Sequence, residues 1–435
     1  MKQKNTPSSP SIAYQILEKL WRLNRIFCSS DYDASLEYLS TFLPFNIHQY
    51  SATQPYKGWV IPPKWELVKG EIRCRGKVIY EADHPLKIIG ISKSFRGQVS
   101  VDELKKHLHY DHRNPHNIPF HFRQHYRAWD RDWGFCVPQT FYDALDEDRY
   151  EVEIITKESD GYLKIAEYIK PGKLQEGFAF VAHLDHPGMA NDDLSGVAVG
   201  VELLHRLSQI ETKFTYRLVL VQEIIGSVFY LDNELSKTDP ILESCFIEML
   251  GSKTPLSLQH SRSGRSCLEK ELQTALIKSG QQVKQGAFRS IVCNDECVWE
   301  SYGIPMSSLS RFPYPEYHSD KDNMSIMSQE YLSEAVDILY DTLIALDKRI
   351  LLKKQFEGVY SLAHPSFDLY IDPGQPAFNT LPTGSSGKLR SLMDEIPLLP
   401  KYAFVHSIAE ALQLPEDVVF SYLKQWKEKG LIDLM

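Results

Sequence analysis

The sequence predicts an α/β protein whose centre is a doubly wound, mostly parallel sheet. Two observations carry that expectation. Apolar runs of strand length recur from about residue 150: GFAFVAHL (177–184), YRLVLVQ (216–222), SCFIEML (244–250), AFRSIVC (287–293) and IPMSSLS (304–310). Between the first two, Val197, Val201, Leu204 and Leu207 repeat at helical spacing. Continuous apolar strands alternating with helices imply a parallel sheet covered on both faces. Ligands of such sheets sit at the carboxyl ends of the strands.

The remaining elements follow in chain order. Residues 11–28 read as an amphipathic helix, with Ser11 as cap and Ile12, Ile16, Leu17, Leu20 and Leu23 at helical spacing. Over 50–100 Gly and Pro become frequent and short β-type runs appear (GWVIP, KVIYEA, LKIIGIS). They predict a β-rich domain inserted at 50–133 into a main domain made of 1–49 and 134–365. The stretch His107–Trp133 is crowded with His, Arg, Tyr and Trp and lacks periodicity, as expected of a connection back to the main domain. Residues 363–400, rich in Pro, Gly and Ser, read as a linker or extended arm. A winged helix is expected at 385–435. One helix face there carries Val405, Ile408, Ala409 and Leu412, and another carries Val418, Val419, Tyr422, Leu423 and Trp426.

Charge narrows the function classes. The 435 residues carry 48 Lys and Arg against 57 Asp and Glu, a net −9, which argues against nucleic-acid binding. The terminal unit is itself slightly acidic, so it is expected to contact protein rather than DNA. No run approaches the 18 apolar residues of a membrane span, and the polar start MKQKNTPSSPS lacks the apolar stretch of a secretory signal. The seven cysteines are odd in number and irregularly spaced, which fits a reducing cytoplasm better than a disulfide framework. Cys293 and Cys297 lie four apart with no second pair and read as two thiols. Membrane partners are not expected, and homo-oligomerisation stays open.

Four clusters can do chemistry. His183-Leu184-Asp185-His186-Pro187, with Asn191-Asp192-Asp193-Leu194-Ser195-Gly196, runs from a strand end to a helix start. A His there can bind a metal while a carboxylate orients its other nitrogen. Gln222-Glu223 ends the next strand, and a carboxylate there can bind metal or act as a base. Glu248 sits inside an apolar strand, where a buried acid needs a partner or a cation. Tyr317-His318-Ser319-Asp320-Lys321-Asp322 supplies a second imidazole, with Asp322 beside it as a partner. Two histidines with three carboxylates suit zinc.

In this order, HLDHPGMANDDLSG, VQEIIGS, FIEMLG, NDECVWESYGIP and YHSDKDN resemble the motifs of the di-zinc aminopeptidase superfamily. The whole chain, with DWGFC at 132–136, more closely resembles bacterial aminopeptidase-like proteins associated with polysaccharide biosynthesis loci. The resemblance implies a zinc-exopeptidase fold with one or two zinc ions and hydrolysis of an N-terminal peptide or related amide bond in a small substrate. It implies His183 and Glu248 on one metal, Glu223 and His318 on the other, Asp192 bridging and Asp185 orienting His183, with His186 as an alternative ligand. Asp295 would be a structural acid near the site. Arg262, Arg265, Arg311 and Tyr317 are candidates for meeting substrate. One departure matters: the superfamily has Glu-Glu where this chain has Gln222-Glu223. If Glu223 is the catalytic base, one metal lacks a ligand; if it is a ligand, the base is missing. A non-hydrolytic metal- or ligand-binding protein and a winged-helix regulator are therefore the competing readings.

Overall fold

Ser11 caps the first helix, its hydroxyl accepting the Tyr14 N–H at 3.2 Å. The helix runs Ile12–Leu20 and buries Ala13, Ile16, Leu17 and Leu20. It stops well short of residue 28 because Arg25 leaves the helical stripe to become a fully buried clamp on another loop. The computed structural model describes residues 10–51, 56–237, 240–371 and 385–435. The polar start and the middle of the expected arm, 372–384, lie outside the described residues.

The chain divides into two compact units, Met1–Gly264 with Leu272–Asp341 and Arg265–Glu271 with Thr342–Met435. The first holds an eight-stranded sheet. Its strands are β1 (Asn46–Ser51), β2 (Tyr162–Lys170), β3 (Gly177–His183), β4 (Thr215–Val221), β5 (Ile241–Glu248), β6 (Ser257–Gln259), β7 (Lys284–Gly286) and β8 (Met306–Ser310). Their spatial order is β1-β2-β4-β3-β5-β8-β6-β7. The central neighbours β4, β3, β5 and β8 pair in parallel. Every residue of β3, β4 and β8 is buried, which accounts for the apolar run of β3 and the mostly apolar β4, while β8 buries three serines as well. The expected strand AFRSIVC does not form. Its Ile291 and Val292 pack in a small cluster around Met249 and Tyr314, and the edge strand is the short polar Lys284–Gly286 instead.

Register brings the chemistry to one edge. His183 lies opposite Val221, Glu248 opposite Ser310, and Phe246 opposite Val181 two residues before both His183 and Glu248. The helix Leu194–Leu207 follows β3 and lies close under the sheet. A Cβ on Gly196 would sit 2.1 Å from the Ile247 carbonyl oxygen, so only glycine permits this approach.

Within the same unit a second, antiparallel sheet is built from Lys77–Glu81, Lys64–Cys74, Arg149–Ser159 and Phe95–Ser100 in that spatial order. Its last strand in the chain, Arg149–Ser159, lies beyond residue 133, so this sheet draws on chain past the expected boundary. Trp65, Ile72, Phe135, Val152 and Ile154 form its core. The second unit centres on the strand Leu351–Lys354, flanked antiparallel by Tyr402–Phe404 and Ile432–Leu434. Its helices Val405–Leu412 and Glu416–Glu428 bury Val405, Ile408, Ala409, Val419, Tyr422, Leu423 and Trp426. Among the described residues no helix is long and apolar enough to cross a membrane.

Candidate active site

The loop after β3 is held by groups that do not face the site. Asp193 accepts the His183 N–H at 2.9 Å and the Met249 N–H at 3.0 Å, tying the ends of β3 and β5 together. Ser195 Oγ and Asn191 Oδ1 accept the N–H groups of Leu250 and Gly251 at 2.7 and 2.9 Å. Asp322 accepts the N–H groups of Ala190, Asn191 and Asp192 and the Tyr314 hydroxyl. It thus serves the Asp192 backbone rather than His318. Burial pushes the Asp322 carboxyl up to about 7. Arg25 donates to the carbonyls of Leu184, His186 and Met189 at 3.2, 2.6 and 2.9 Å. Sequence reasoning passed over Arg25, because nothing in an N-terminal helical pattern marks one arginine as a clamp on a loop 160 residues away.

This scaffold brings His186, Asp192 and His318 together, with one donor atom from each lying within 4.8 Å of the others. His318 Nε2 is 3.0 Å from Asp192 Oδ2, and His186 Nε2 is 3.9 Å from both Asp192 Oδ1 and Glu223 Oε2. Asp192 Oδ2 is buried and makes no well-directed hydrogen bond, so its approach to His318 is close without hydrogen-bond geometry. Burial alone would raise the Asp192 carboxyl, but the imidazoles of His186 and His318 hold it at about 2. Two imidazole nitrogens and a buried, incompletely satisfied carboxylate are a donor set that fits zinc.

His183 and Glu248 are placed differently. His183 Nε2 contacts Asp295 Oδ2 at 2.6 Å, and this acid outweighs burial to lift the imidazole well above its usual range. Asp295 Oδ2 also accepts the Ile224 N–H at 2.9 Å. Asp295, not Asp185, is therefore the carboxylate that orients His183. Asp185 accepts the Glu223 N–H at 3.1 Å and lies 3.7 Å from His186 Nδ1. Glu248 is buried, and Asn294 Nδ2 donates to its Oε2 at 2.9 Å while Oε1 has no partner. Burial, then Glu296 and Asp193, push its carboxyl well up. Neither His183 nor Glu248 belongs to the three-residue cluster.

Gln222 turns away: its amide donates to the Lys164 carbonyl at 2.9 Å, and its side chain is fully buried. Glu223 is the strand-end carboxylate that faces His186, and the Tyr126 hydroxyl donates to its Oε2 at 2.6 Å. Tyr126 comes from the aromatic stretch 107–133, which is more than a connection. Phe120 lies 5.5 and 5.3 Å from the rings of His186 and His318, and its N–H donates to the His318 carbonyl at 2.9 Å. His125 is buried behind it. The clustering of aromatics and histidines was visible in the sequence, but their destination was not. Tyr317 stacks on His318 at 3.9 Å. Arg311 is buried against Glu334 and donates to the carbonyls of Leu250 and Thr254, so it holds a loop rather than a substrate. Arg262 is exposed, with its N–H on Glu300, and Arg265 falls in the second unit.

A parallel core that delivers imidazoles and carboxylates to its strand ends defines the class: the fold is that of the zinc aminopeptidases and M28 peptidases. The zinc aminopeptidase of Bacillus subtilis matches with a TM-score of 0.55 at 14% identity, covering 77% of this chain and 94% of that one. An M28 peptidase precursor from Shewanella amazonensis matches with a TM-score of 0.56 at 14% identity, covering 78% and 93%. A protein from Clostridium acetobutylicum, provisionally named a peptidase, matches over nearly the whole length: TM-score 0.74, 22% identity, 97% of this chain and 96% of that one. Residues 14–349 match the family described as "Domain of unknown function (DUF4910)", and the chain belongs to it. A curated relative from Clostridium acetobutylicum is 26% identical over 350 residues, 79% of this chain and 80% of its own length. That relative is provisionally named a polysaccharide biosynthesis protein with an aminopeptidase-like domain.

Proposed function

We propose that this protein is a zinc-dependent hydrolase of aminopeptidase type, cleaving an N-terminal peptide or related amide bond. The observation that carries the reading is the convergence of His186, Asp192 and His318, with Glu223 alongside. Bound at these three donors, zinc supplies Lewis acidity toward the carbonyl of the scissile amide. Glu223 takes the proton from the attacking water and delivers it to the leaving amine, which its strand-end position and partial exposure allow. The Tyr126 hydroxyl fixes the carboxylate's orientation. Phe120 and Tyr317 wall the donors and exclude bulk water. The donors brought together favour one ion, since His183 is engaged by Asp295 and Glu248 by Asn294. The curated relative's name supports a substrate connected with polysaccharide biosynthesis. In the C-terminal unit, the helices Val405–Leu412 and Glu416–Glu428 with the three-stranded antiparallel sheet support a winged helix, and its slightly acidic sequence favours contact with protein over DNA.

Metal analysis of the purified protein tests the reading, with assays on aminoacyl amides. One zinc per chain that is lost in Asp192→Ala and His318→Ala, and amide cleavage dependent on it, is the expected result. Absence of bound divalent metal and of cleavage after zinc addition would refute it. The second reading, a binding protein on the same fold, is favoured by the missing first glutamate. If zinc binds stoichiometrically while no amide is cleaved, that reading replaces the first.

A further inference from the structure

Two thiols outside the donor set lie beside the residues that support it. Cys293 Sγ and Cys297 Sγ are 3.7 Å apart. Cys293 is exposed and Cys297 partly so, whereas Cys28, Cys136, Cys245 and Cys267 are buried. Arg289 Nε donates to Cys293 Sγ at 3.2 Å, so a cation faces the sulfur that solvent can reach. Cys293 is both the more exposed sulfur and the one that Arg289 faces, so it is the sulfur that reacts first. The three residues between the cysteines all reach inward. Asn294 holds Glu248, Asp295 holds both His183 and the Ile224 N–H, and Glu296 accepts from Gln259 and Ser308.

We propose that Cys293 and Cys297 form a reversible disulfide, and that closing it displaces the Asn294–Asp295 segment and so makes the site sensitive to oxidation by hydroperoxides. The bond is about 2.05 Å long, so the sulfurs must move together and the short loop between them must follow. In the first step the Cys293 thiolate attacks one peroxide oxygen and the O–O bond breaks. This gives a sulfenic acid and hydroxide, which takes up the proton lost by the thiol. In the second, Cys297 sulfur displaces the sulfenic hydroxyl, forming the S–S bond. The Cys297 proton leaves with that hydroxyl as water. Two thiols thus supply the two electrons that reduce one hydrogen peroxide to two waters. The effect on turnover rests on the proposed function above; formation of the disulfide does not.

The test treats the full-length protein with hydrogen peroxide, blocks free thiols and digests it with trypsin without reduction. The peptide Ser290–Arg311 should lose two hydrogens and resist alkylation at both cysteines, with dithiothreitol restoring both. Cys297→Ser should stop at a dimedone-reactive Cys293, and Cys293→Ser should not react. Unchanged alkylation of this peptide, or oxidation of Cys74 in its place, overturns the proposal. Amide exchange at Ile224, whose acceptor is Asp295, should quicken in the oxidised form; unchanged exchange in a fully cross-linked sample overturns the link to the site. Turnover of an aminoacyl amide should fall ~10-fold on oxidation, because the Ile224 N–H that Asp295 holds adjoins Glu223, and equal turnover in both forms likewise overturns the link. If neither form cleaves the amide, the proposed function fails separately, because mass and exchange still report on the thiols.

Discussion

At the end of β4 the chain presents Gln222 and then Glu223, and successive side chains of a strand point to opposite faces. The geometry that removes Gln222 from the site, its amide on the Lys164 carbonyl, puts Glu223 beside His186. A missing first glutamate therefore does not by itself empty the position of the base. Glu223→Gln is expected to lower turnover of an aminoacyl amide about 10²–10⁴-fold with zinc content unchanged. Zinc lost in parallel with turnover would make Glu223 a donor instead. The motif spacing made both His183 and His186 visible as strand-end imidazoles. Choosing between them depended on Asp295, more than a hundred residues on, which takes His183. No local pattern encodes such a long-range pairing.

Elements show a similar division. The strands β3, β4, β5 and β8 were legible because burial on both faces enriches them in apolar residues over strand-length runs. AFRSIVC misled because loop residues packing on Met249 are as apolar as strand residues. Next to the site, Ile224, Met249 and His318 have φ of +62°, +52° and +55°, a region that costs side-chain-bearing residues roughly 1–3 kcal/mol each. This strain sits where the strand ends turn toward the donors. The approach of helix Leu194–Leu207 to the sheet is equally demanding. Gly196→Ala is expected to cost about 3 kcal/mol in denaturant unfolding, because its Cβ would meet the Ile247 carbonyl. In the segment carrying Phe120 and Tyr126, burial, then His186 and His121, depress His125 from 6.5 to about 3. Between those pH values the unfolded chain takes up a proton that the folded protein refuses. The stability conferred by neutral His125 is thus complete above about pH 6.5 and lost as the pH falls toward 3. Urea unfolding from pH 7 to 4 should show a shallower acid decline in His125→Phe than in the unsubstituted protein.

For the molecule as a whole, a donor set assembled only on folding would couple a bound zinc to stability. Zinc at a hundredfold excess over its Kd should raise unfolding free energy by about 2.7 kcal/mol, read as a higher Tm that chelator reverses and Asp192→Ala lacks. Gly, Pro and short β runs made β structure legible over 50–100, but not the strand Arg149–Ser159 that completes the sheet. Nor was the hold of the 107–133 stretch on the site, which runs through the Phe120 N–H on the His318 carbonyl, hydrogen bonds between Ile118 and Asp320, and the Tyr126 phenol on Glu223. The consequence is a separation of duties along the polypeptide. The proposed zinc donors come from the parallel-sheet core, and Phe120 and Tyr126 beside them come from a module carried between two strands of the β-rich sheet. Exchanging that module would retune admission while leaving the grip intact, provided the replacement keeps a residue able to dock on the His318 loop.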